Sequence, residues 1–359
     1  MTNNALKSPH FNAALTALTA AALFGAATPL AKILLGSISP FMVAGLFYLG
    51  SGLGLALCIL IRRTTRTADE HANVSRIAPA EVPWLFGAII AGGIAGPALL
   101  MLGLTKTPAS TSSLLLNLEG VLTAVIAWVA FRENVDLQVF LGMVVIVAGG
   151  LLLSWQPGSA SIPLGALLIV GACLCWAIDN NLTRKVSAND AMVLACIKGL
   201  VAGSANLSIA LLFGASLPSA LKVLAAMATG FAGYGVSLVM FVVALRNLGT
   251  ARTGAYFSVA PLFGVALSLA IWPGMPSALF WIAAALMAVG IWLHVRERHE
   301  HPHTHEALEH NHAHRHDEHH QHEHAFAYDG QEPHTHAHRH ASITHAHAHY
   351  PDIHHRHRH

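Results

Sequence analysis

The sequence feature that most constrains this chain is a succession of apolar runs, each about as long as a bilayer is thick. A hydrocarbon core about 30 Å across is spanned by roughly 20 residues of α-helix. Runs of that kind occupy residues 11–33, 40–61, 83–104, 110–131, 137–154, 163–182, 191–213, 222–245, 252–271 and 277–296. Ten transmembrane helices are therefore expected, and the fold class is all-α and integral to the membrane. The first run resembles a signal peptide in its small residues from Ala17 to Ala27. It nevertheless continues through Pro29 to Lys32 without a cleavage site, so it is expected as a mature helix.

Charge divides the chain in two near Arg298. Residues 1–298 hold 16 Lys+Arg and 9 Asp+Glu, whereas residues 299–359 hold 4 and 9, together with 23 of the 26 histidines. Across the 359 residues only 11% are charged and 54% hydrophobic, far from the quarter charged that is usual in soluble domains. A net charge of +2, carried by basic residues scattered through short loops, offers no surface for nucleic acid. Cys58, Cys173, Cys175 and Cys196 all lie in apolar runs and read as small buried hydrophobes rather than a disulfide framework.

Short loops rich in Lys and Arg stay on the cytoplasmic side. With the N-terminus inside, Lys7, Arg62, Arg63, Arg66, Arg76, Arg132, Arg184, Lys185, Arg246, Arg252, Arg296 and Arg298 are cytoplasmic, twelve in all, against Lys32, Lys106 and Lys222 outside. A multi-pass protein of the cell inner membrane with both termini cytoplasmic is expected.

The sequence also aligns weakly with itself. Shifted by 151 positions, Leu23-Phe24-Gly25-Ala26 falls on Leu174-Cys175-Trp176-Ala177; shifted by 142, Ala109-Ser110-Thr111 falls on Ala251-Arg252-Thr253. Each half has five spans, an odd number, so the second half enters the membrane inverted. Inverted repeats mark transporters whose substrate site lies near the midplane. The expected organisation is one five-helix repeat over 11–154, a second over 163–296 and a tail over 299–359.

These residues carry a family resemblance. The small-residue and Trp-containing first helices of each half, the Ala-Ser-Thr and Ala-Arg-Thr starts of helices four and nine, Pro261, and Phe131-Arg132-Glu133 followed by Gly142 and Val147-Ala148-Gly149-Gly150 resemble the EamA family of the drug/metabolite transporter superfamily. The resemblance implies a ten-helix, two-repeat secondary carrier, usually an exporter of small metabolites. Two positions depart from the pattern. Glu119 stands where the family has a proline, the position matching Pro261, and Met275 stands where Glu133 is matched in the second half. The first departure adds a carboxylate near mid-membrane.

A charge at the bilayer centre costs about 2.5–3.5 kcal/mol on insertion scales, so such groups face a cavity or a partner. Glu119, Asp179 and Lys198 are the candidates. Ser112, Glu119 and Thr123 are spaced by seven and four residues on one face of helix four, and Cys175 and Asp179 are four apart on helix six. The functional reading makes Glu119 and Asp179, with Asn180 beside them, exchange protons or bind a cation, with Lys198 as counter-ion or anchor. The structural reading pairs Asp179 with Lys198 between neighbouring helices. Trp176 and Tyr256 are candidate aromatic walls, and Pro29, Pro97 and Pro261 candidate helix breaks. Gly199 and Gly203 match a spacing that brings two helix backbones together.

The tail repeats His-x-His at His299, His301, His303 and His305, at His312, His314 and His316, at His334, His336, His338 and His340, and at His345, His347 and His349. Neutral imidazole ligates borderline divalent metals, so Ni²⁺, Co²⁺, Cu²⁺ or Zn²⁺ is expected to bind. A tail without apolar periodicity is expected to be disordered in the absence of metal. A drifting low-complexity tail and a pH-sensitive polyelectrolyte are its other readings. An expression tag does not fit histidines interleaved with Glu, Asp, Arg and Pro over about 60 residues.

The function expected is secondary active transport of a small polar metabolite, proton-coupled and outward, with a metal-binding cytoplasmic tail. A divalent metal cation carrier is the alternative, and a membrane-anchored metal sensor or buffer the second. No cofactor is required. Neither a His-Glu-x-x-His nor a Gly-x-Ser-x-Gly motif lies in the spans, so no enzyme is expected. The lipid bilayer, a small-molecule or ion substrate and the metal on the tail are the partners, and the sequence assigns no oligomeric state.

Overall fold

The structure is a computed structural model. It describes residues 9–65, 77–131, 137–155, 162–186, 189–248, 253 and 256–295, and in the tail 300–305, 309–314, 334–339 and 343–348. The chain divides into two compact units, Met1–Glu297 and Arg298–His359.

The first unit is all-helical. Apolar side chains satisfy the surroundings and the i→i−4 ladder satisfies the backbone, which is what a chain in lipid must achieve. Among the described residues eight helices are long and apolar enough to cross a membrane: α1 (Pro9–Leu35), α2 (Pro40–Thr65), α3 (Pro79–Lys106), α4 (Ala109–Ala130), α5 (Leu137–Ser154), α6 (Leu164–Thr183), α7 (Ala191–Leu212) and α8 (Ala220–Ala244). Two shorter apolar helices follow, α9 (Ala260–Ile271) and α10 (Ala278–Val295). Residues 252, 254 and 255, which belong to the ninth expected span, lie outside the described residues.

Several local features have direct causes. Asp190 caps α7, its carboxylate accepting from Met192 N–H at 2.8 Å. α1 runs through Pro29 without ending, and the expected break there does not occur. α3 and α8 each contain a π-helical turn, over Ile89–Ala95 and Phe231–Val236. The two turns begin 142 positions apart (89 against 231), and α2 and α7 begin 151 apart (40 against 191). Those are the two offsets at which the sequence aligns with itself.

The helices of the two halves interleave. α1 packs against α8 and α9, while α6 packs against α3 and α4. α2 and α7 meet backbone to backbone: a β-carbon on Gly199 would lie 2.7 Å from Gly52 Cα, and one on Gly203 2.5 Å from Leu49 N. The Gly199/Gly203 spacing thus serves packing within the chain. The interior is filled by Met42, Phe47, Leu100, Met101, Leu104, Leu114, Leu115, Ile169 and Met287. Large apolar side chains such as Leu57, Phe86, Leu212 and Leu221 point outward, as they do where hydrocarbon is the solvent.

Among the described residues the second unit forms short strands. It has four six-residue strands, β1 (Glu300–His305), β2 (Glu309–His314), β3 (His334–Arg339) and β4 (Ile343–Ala348). β1 pairs antiparallel with β4, and β2 with β3. His-x-His alternates with the period of a strand, and the ladder supplies the backbone bonds. His299, His316, His340 and His349 lie outside the described residues.

Candidate functional site

The site begins with a break in α4. Helix geometry stops after Leu115 and restarts at Leu118, leaving Leu116 and Asn117 in a turn. Asn117 donates its side-chain amide to Leu114 O at 3.0 Å, closing the turn locally. Glu119 therefore stands in the first turn of a new half-helix, where free N–H groups and the helix dipole favour a carboxylate. The second half repeats the arrangement: Ser258 and Val259 form a turn, and Pro261 occupies the first turn of α9. A proline is suited to that position because the N–H it lacks has no partner within the helix. Glu119 and Pro261 are thus two residue types that suit one structural position, which explains the departure seen in the sequence.

From Glu119 a polar seam crosses to α6. Asn180 donates its amide to Glu119 Oε1 at 3.0 Å and reaches Thr123 Oγ1 at 3.3 Å. Asn181 donates to Thr123 O at 3.2 Å and Ala177 O at 2.9 Å. Thr123 bonds back to Glu119 O at 2.8 Å. Glu119 is half-buried, Asn181 buried and Asn180 exposed on the bundle.

One residue before Asn180, Asp179 turns to α7 instead. Lys198 Nζ meets both of its carboxylate oxygens at 2.6 Å, and Thr183 Oγ1 donates to Oδ1 at 2.8 Å. Asp179 is 6% exposed, and its carboxylate occupies the space beside Gly92 in the π turn of α3. The pair is compact and internally neutral. Of the two sequence readings for Asp179 and Lys198, the geometry brings together the interhelical pair.

The π turn presents carbonyls to its neighbours. Gly92 O accepts from Tyr48 OH at 2.8 Å and from Trp176 Nε1 at 2.9 Å, and Gly93 O accepts from the fully buried Asn206 at 3.1 Å. A π turn widens the i→i−4 ladder, which leaves such oxygens available to side chains from α2, α6 and α7. Tyr48 packs on Tyr234 of the second π turn with ring centroids 5.5 Å apart, and Tyr234 meets Phe24 and Phe47, each at 5.9 Å. An aromatic wall built from both halves so adjoins the polar seam.

Two expected site residues fall elsewhere. Ser112 is fully buried and donates to Pro108 O at 2.9 Å, its own helix backbone. The break at Leu116–Asn117 lies between Ser112 and Glu119 and cancels the helical phase on which their grouping relied. Tyr256 is half-buried; its neighbour Phe257 joins the aromatic wall, tilted against Phe24 at 5.4 Å and edge-on to Phe241 at 4.8 Å. Tyr48, Asn181, Asn206 and Tyr234 were not singled out by a search directed at charges. Asn206, an amide inside an apolar run, carried the clearest signal that could have found it, because a buried amide demands partners.

A multi-pass helical bundle with broken helices, π turns at matching places in its two halves and ionisable groups between them is the architecture of a membrane transporter. A model of the EamA-like transporter family matches residues 11–155 and again residues 163–296, and the chain belongs to that family. It is 27% identical over 293 residues to an uncharacterized transporter of Methanothermobacter thermautotrophicus, covering 77% of this chain and 84% of that one. It is 25% identical over 291 residues to the uncharacterized transporter YyaM of Bacillus subtilis, covering 78% and 92% respectively. A crystal structure with 21% sequence identity superposes with a TM-score of 0.58 over 79% of this chain and 95% of the other, which shows the shared fold.

Proposed function

We propose that this transporter exports a small polar metabolite across the cell inner membrane in exchange for protons, and that Glu119 is the group that takes up and releases the proton. The observation that carries this reading is the contrast between the two carboxylates. Asp179 is neutralised by Lys198 at 2.6 Å, whereas Glu119 is held by the neutral amide of Asn180 at 3.0 Å. A half-buried carboxyl in a membrane helix with an amide partner can exist in either protonation state without leaving an uncompensated partner behind. The Asp179–Lys198 pair then fixes α6 against α7, and Asn180, Thr123, Trp176, Tyr48 and Tyr234 line the path of the solute.

The ten-span topology with two inverted repeats and cytoplasmic termini belongs to the same reading. Five full-length helices precede residue 156, so α6 crosses in the direction opposite to α1. Arg62 near the end of α2 lies 3.9 Å from Asp190 at the start of α7, and Lys185 lies 5.9 Å over Trp84 at the start of α3. Basic residues thus collect at one end of the bundle, which supports placing that end in the cytoplasm.

The test uses the full chain in liposomes that carry a pH gradient and an internal pH indicator. A defined pool of amino acids, nucleosides and sugars is offered on one side, and solute and proton movements are recorded together. Wild type is expected to move at least one solute in exchange for protons, and Glu119→Gln to lose the proton movement. Glu119-dependent movement of Ni²⁺, Co²⁺ or Zn²⁺ with no metabolite flux would replace this reading with the divalent cation carrier.

A further inference from the structure

Lys32 stands near the end of α1, inside an apolar run, and its ammonium crosses to α3. Nζ donates to Leu104 O and, at 3.1 Å, to Thr107 O, in the last turn and at the cap of α3. The last carbonyls of a helix have no N–H partner within it and carry the negative end of its dipole, so a cation suits them. Here the cation comes from a different packing group. α1 is packed chiefly with α8 and α9, whereas α3 is packed with α6. One side chain thus ties the two groups together at the end of the bundle where α1 and α3 finish.

A seam between the same two groups lies beneath it. α4 changes partners at its break: Ala109–Leu115 packs chiefly against α9 and α1, and the half that starts at Leu118 packs chiefly against α6. In the first of these halves Ser113 sits against Gly264 of α9. A β-carbon at 264 would lie 2.6 Å from Ser113 Oγ and 2.8 Å from Gly25 O of α1. Ser113 is 1% exposed, and its hydroxyl has no hydrogen-bond partner among the described residues. A buried hydroxyl without a partner is a cost of the closed seam, and water would remove it if the seam parted. The other half of the repeat lacks these features. The residues 151 positions on from Gly25 and Lys32 are Trp176 and Thr183, an indole in place of the glycine and a hydroxyl that donates to Asp179 Oδ1 of its own helix. Asn180 is exposed where its counterpart Pro29 is buried.

We infer that Lys32 is the latch of a gate at this end of the bundle, and that the seam of Ser113, Gly264 and Gly25 opens when Lys32 releases the α3 carbonyls. In the arrangement described the gate is closed. The break at Leu116–Asn117 is its hinge, because one half of α4 can leave α9 while the other half stays on α6. An ammonium held by two carbonyls biases the equilibrium toward the closed form, and its removal shifts the population by about tenfold or more. Two alternating faces, and the outer position of this end, are taken from the transport reading above. Neither the identity of the solute nor the proton role of Glu119 enters.

The experiment places a thiol in the seam with Ser113→Cys, in the full chain purified in detergent. A water-soluble methanethiosulfonate is added, and modification at residue 113 is followed by peptide mass spectrometry, which separates it from Cys58, Cys173, Cys175 and Cys196. With Lys32 in place modification is expected to be slow. Adding Lys32→Met should make it faster by about tenfold or more, whereas Lys32→Arg, which keeps the cation, should leave it slow. Lys32→Gln retains one donor and should give an intermediate rate, which keeps the test open should the methionine variant fold badly. The buried native Cys196 on α7 reports general loosening and should stay slow throughout. An unchanged rate at residue 113, or equal acceleration at Cys196, would overturn the latch and leave Lys32 as a fixed cap of α3. Proton movement that survives Glu119→Gln would overturn the proposed coupling and leave these rates as they are, so the two failures are separate.

Discussion

Asp179 lies directly against Gly92: the carboxylate on α6 fills the place where a side chain at residue 92 would begin. The contact is available because position 92 has no β-carbon and because the π turn brings α3 close to α6 at that level. The salt bridge to Lys198 and the hydrogen bonds to Gly92 O from Tyr48 and Trp176 all depend on that approach.

Replacing Gly92 with alanine is expected to destabilise the protein. Alanine in place of glycine ordinarily favours a helix by about 1 kcal/mol. Here the added methyl displaces the Asp179 carboxylate, and overpacking of this kind costs about 1–3 kcal/mol. A lowered unfolding temperature in detergent is the expected outcome, and an unchanged or raised value would contradict the packing described.

Lys198→Met leaves a buried carboxylate without its cation and is expected to cost about 3–5 kcal/mol. The double variant Asp179→Asn with Lys198→Met removes both charges and should recover most of that loss. If the pair holds helices together rather than carrying protons, the double variant also keeps proton-coupled flux. Loss of flux in a well-folded double variant would move the proton site from Glu119 to Asp179.

Glu119→Pro is expected to fold. The first turn of a half-helix tolerates proline, and the substitution gives up one backbone bond, from Glu119 N–H to Leu116 O at 3.1 Å. Val125→Pro, in the middle of the same half-helix, should cost about 3 kcal/mol or more. Thermal unfolding of the two variants side by side checks the break, since a continuous α4 would make both equally damaging. Glu119→Pro should also lose proton movement, as Glu119→Gln does.

Asn206→Leu removes the amide that serves Gly93 O and is expected to destabilise by about 1–3 kcal/mol, the cost of a buried carbonyl left without a donor. Asn206→Asp keeps the shape without a donor and should be no better. Hydrogen exchange over residues 89–95 is the corresponding local readout and should rise in both variants.

Much of this architecture is legible in the sequence because lipid imposes a simple rule, that an apolar run of bilayer length becomes a helix. Glu119, Asp179 and Lys198 stand out for the same reason, since a charge in such a run needs a partner. The break in α4 is not legible: Leu114-Leu115-Leu116-Asn117-Leu118 contains neither proline nor glycine, and the turn is closed by an asparagine amide that could as well have faced outward. The π turn of α3 is met by Tyr48, Trp176 and Asn206, which come from three other helices and have no local spacing to α3. Ser112 was grouped with Glu119 by a helical period that the break interrupts.

The interleaving of α1 with α8 and α9, and of α6 with α3 and α4, means that neither half has an interior of its own. Ser237 on α8 bonds to Ala20 O on α1 at 2.8 Å, and Cys173 on α6 to Leu115 O on α4 at 3.6 Å, so each half holds donors whose acceptors lie in the other. A chain cut within residues 156–161 would leave those donors and acceptors on separate fragments, which are expected to regain the fold only when made together.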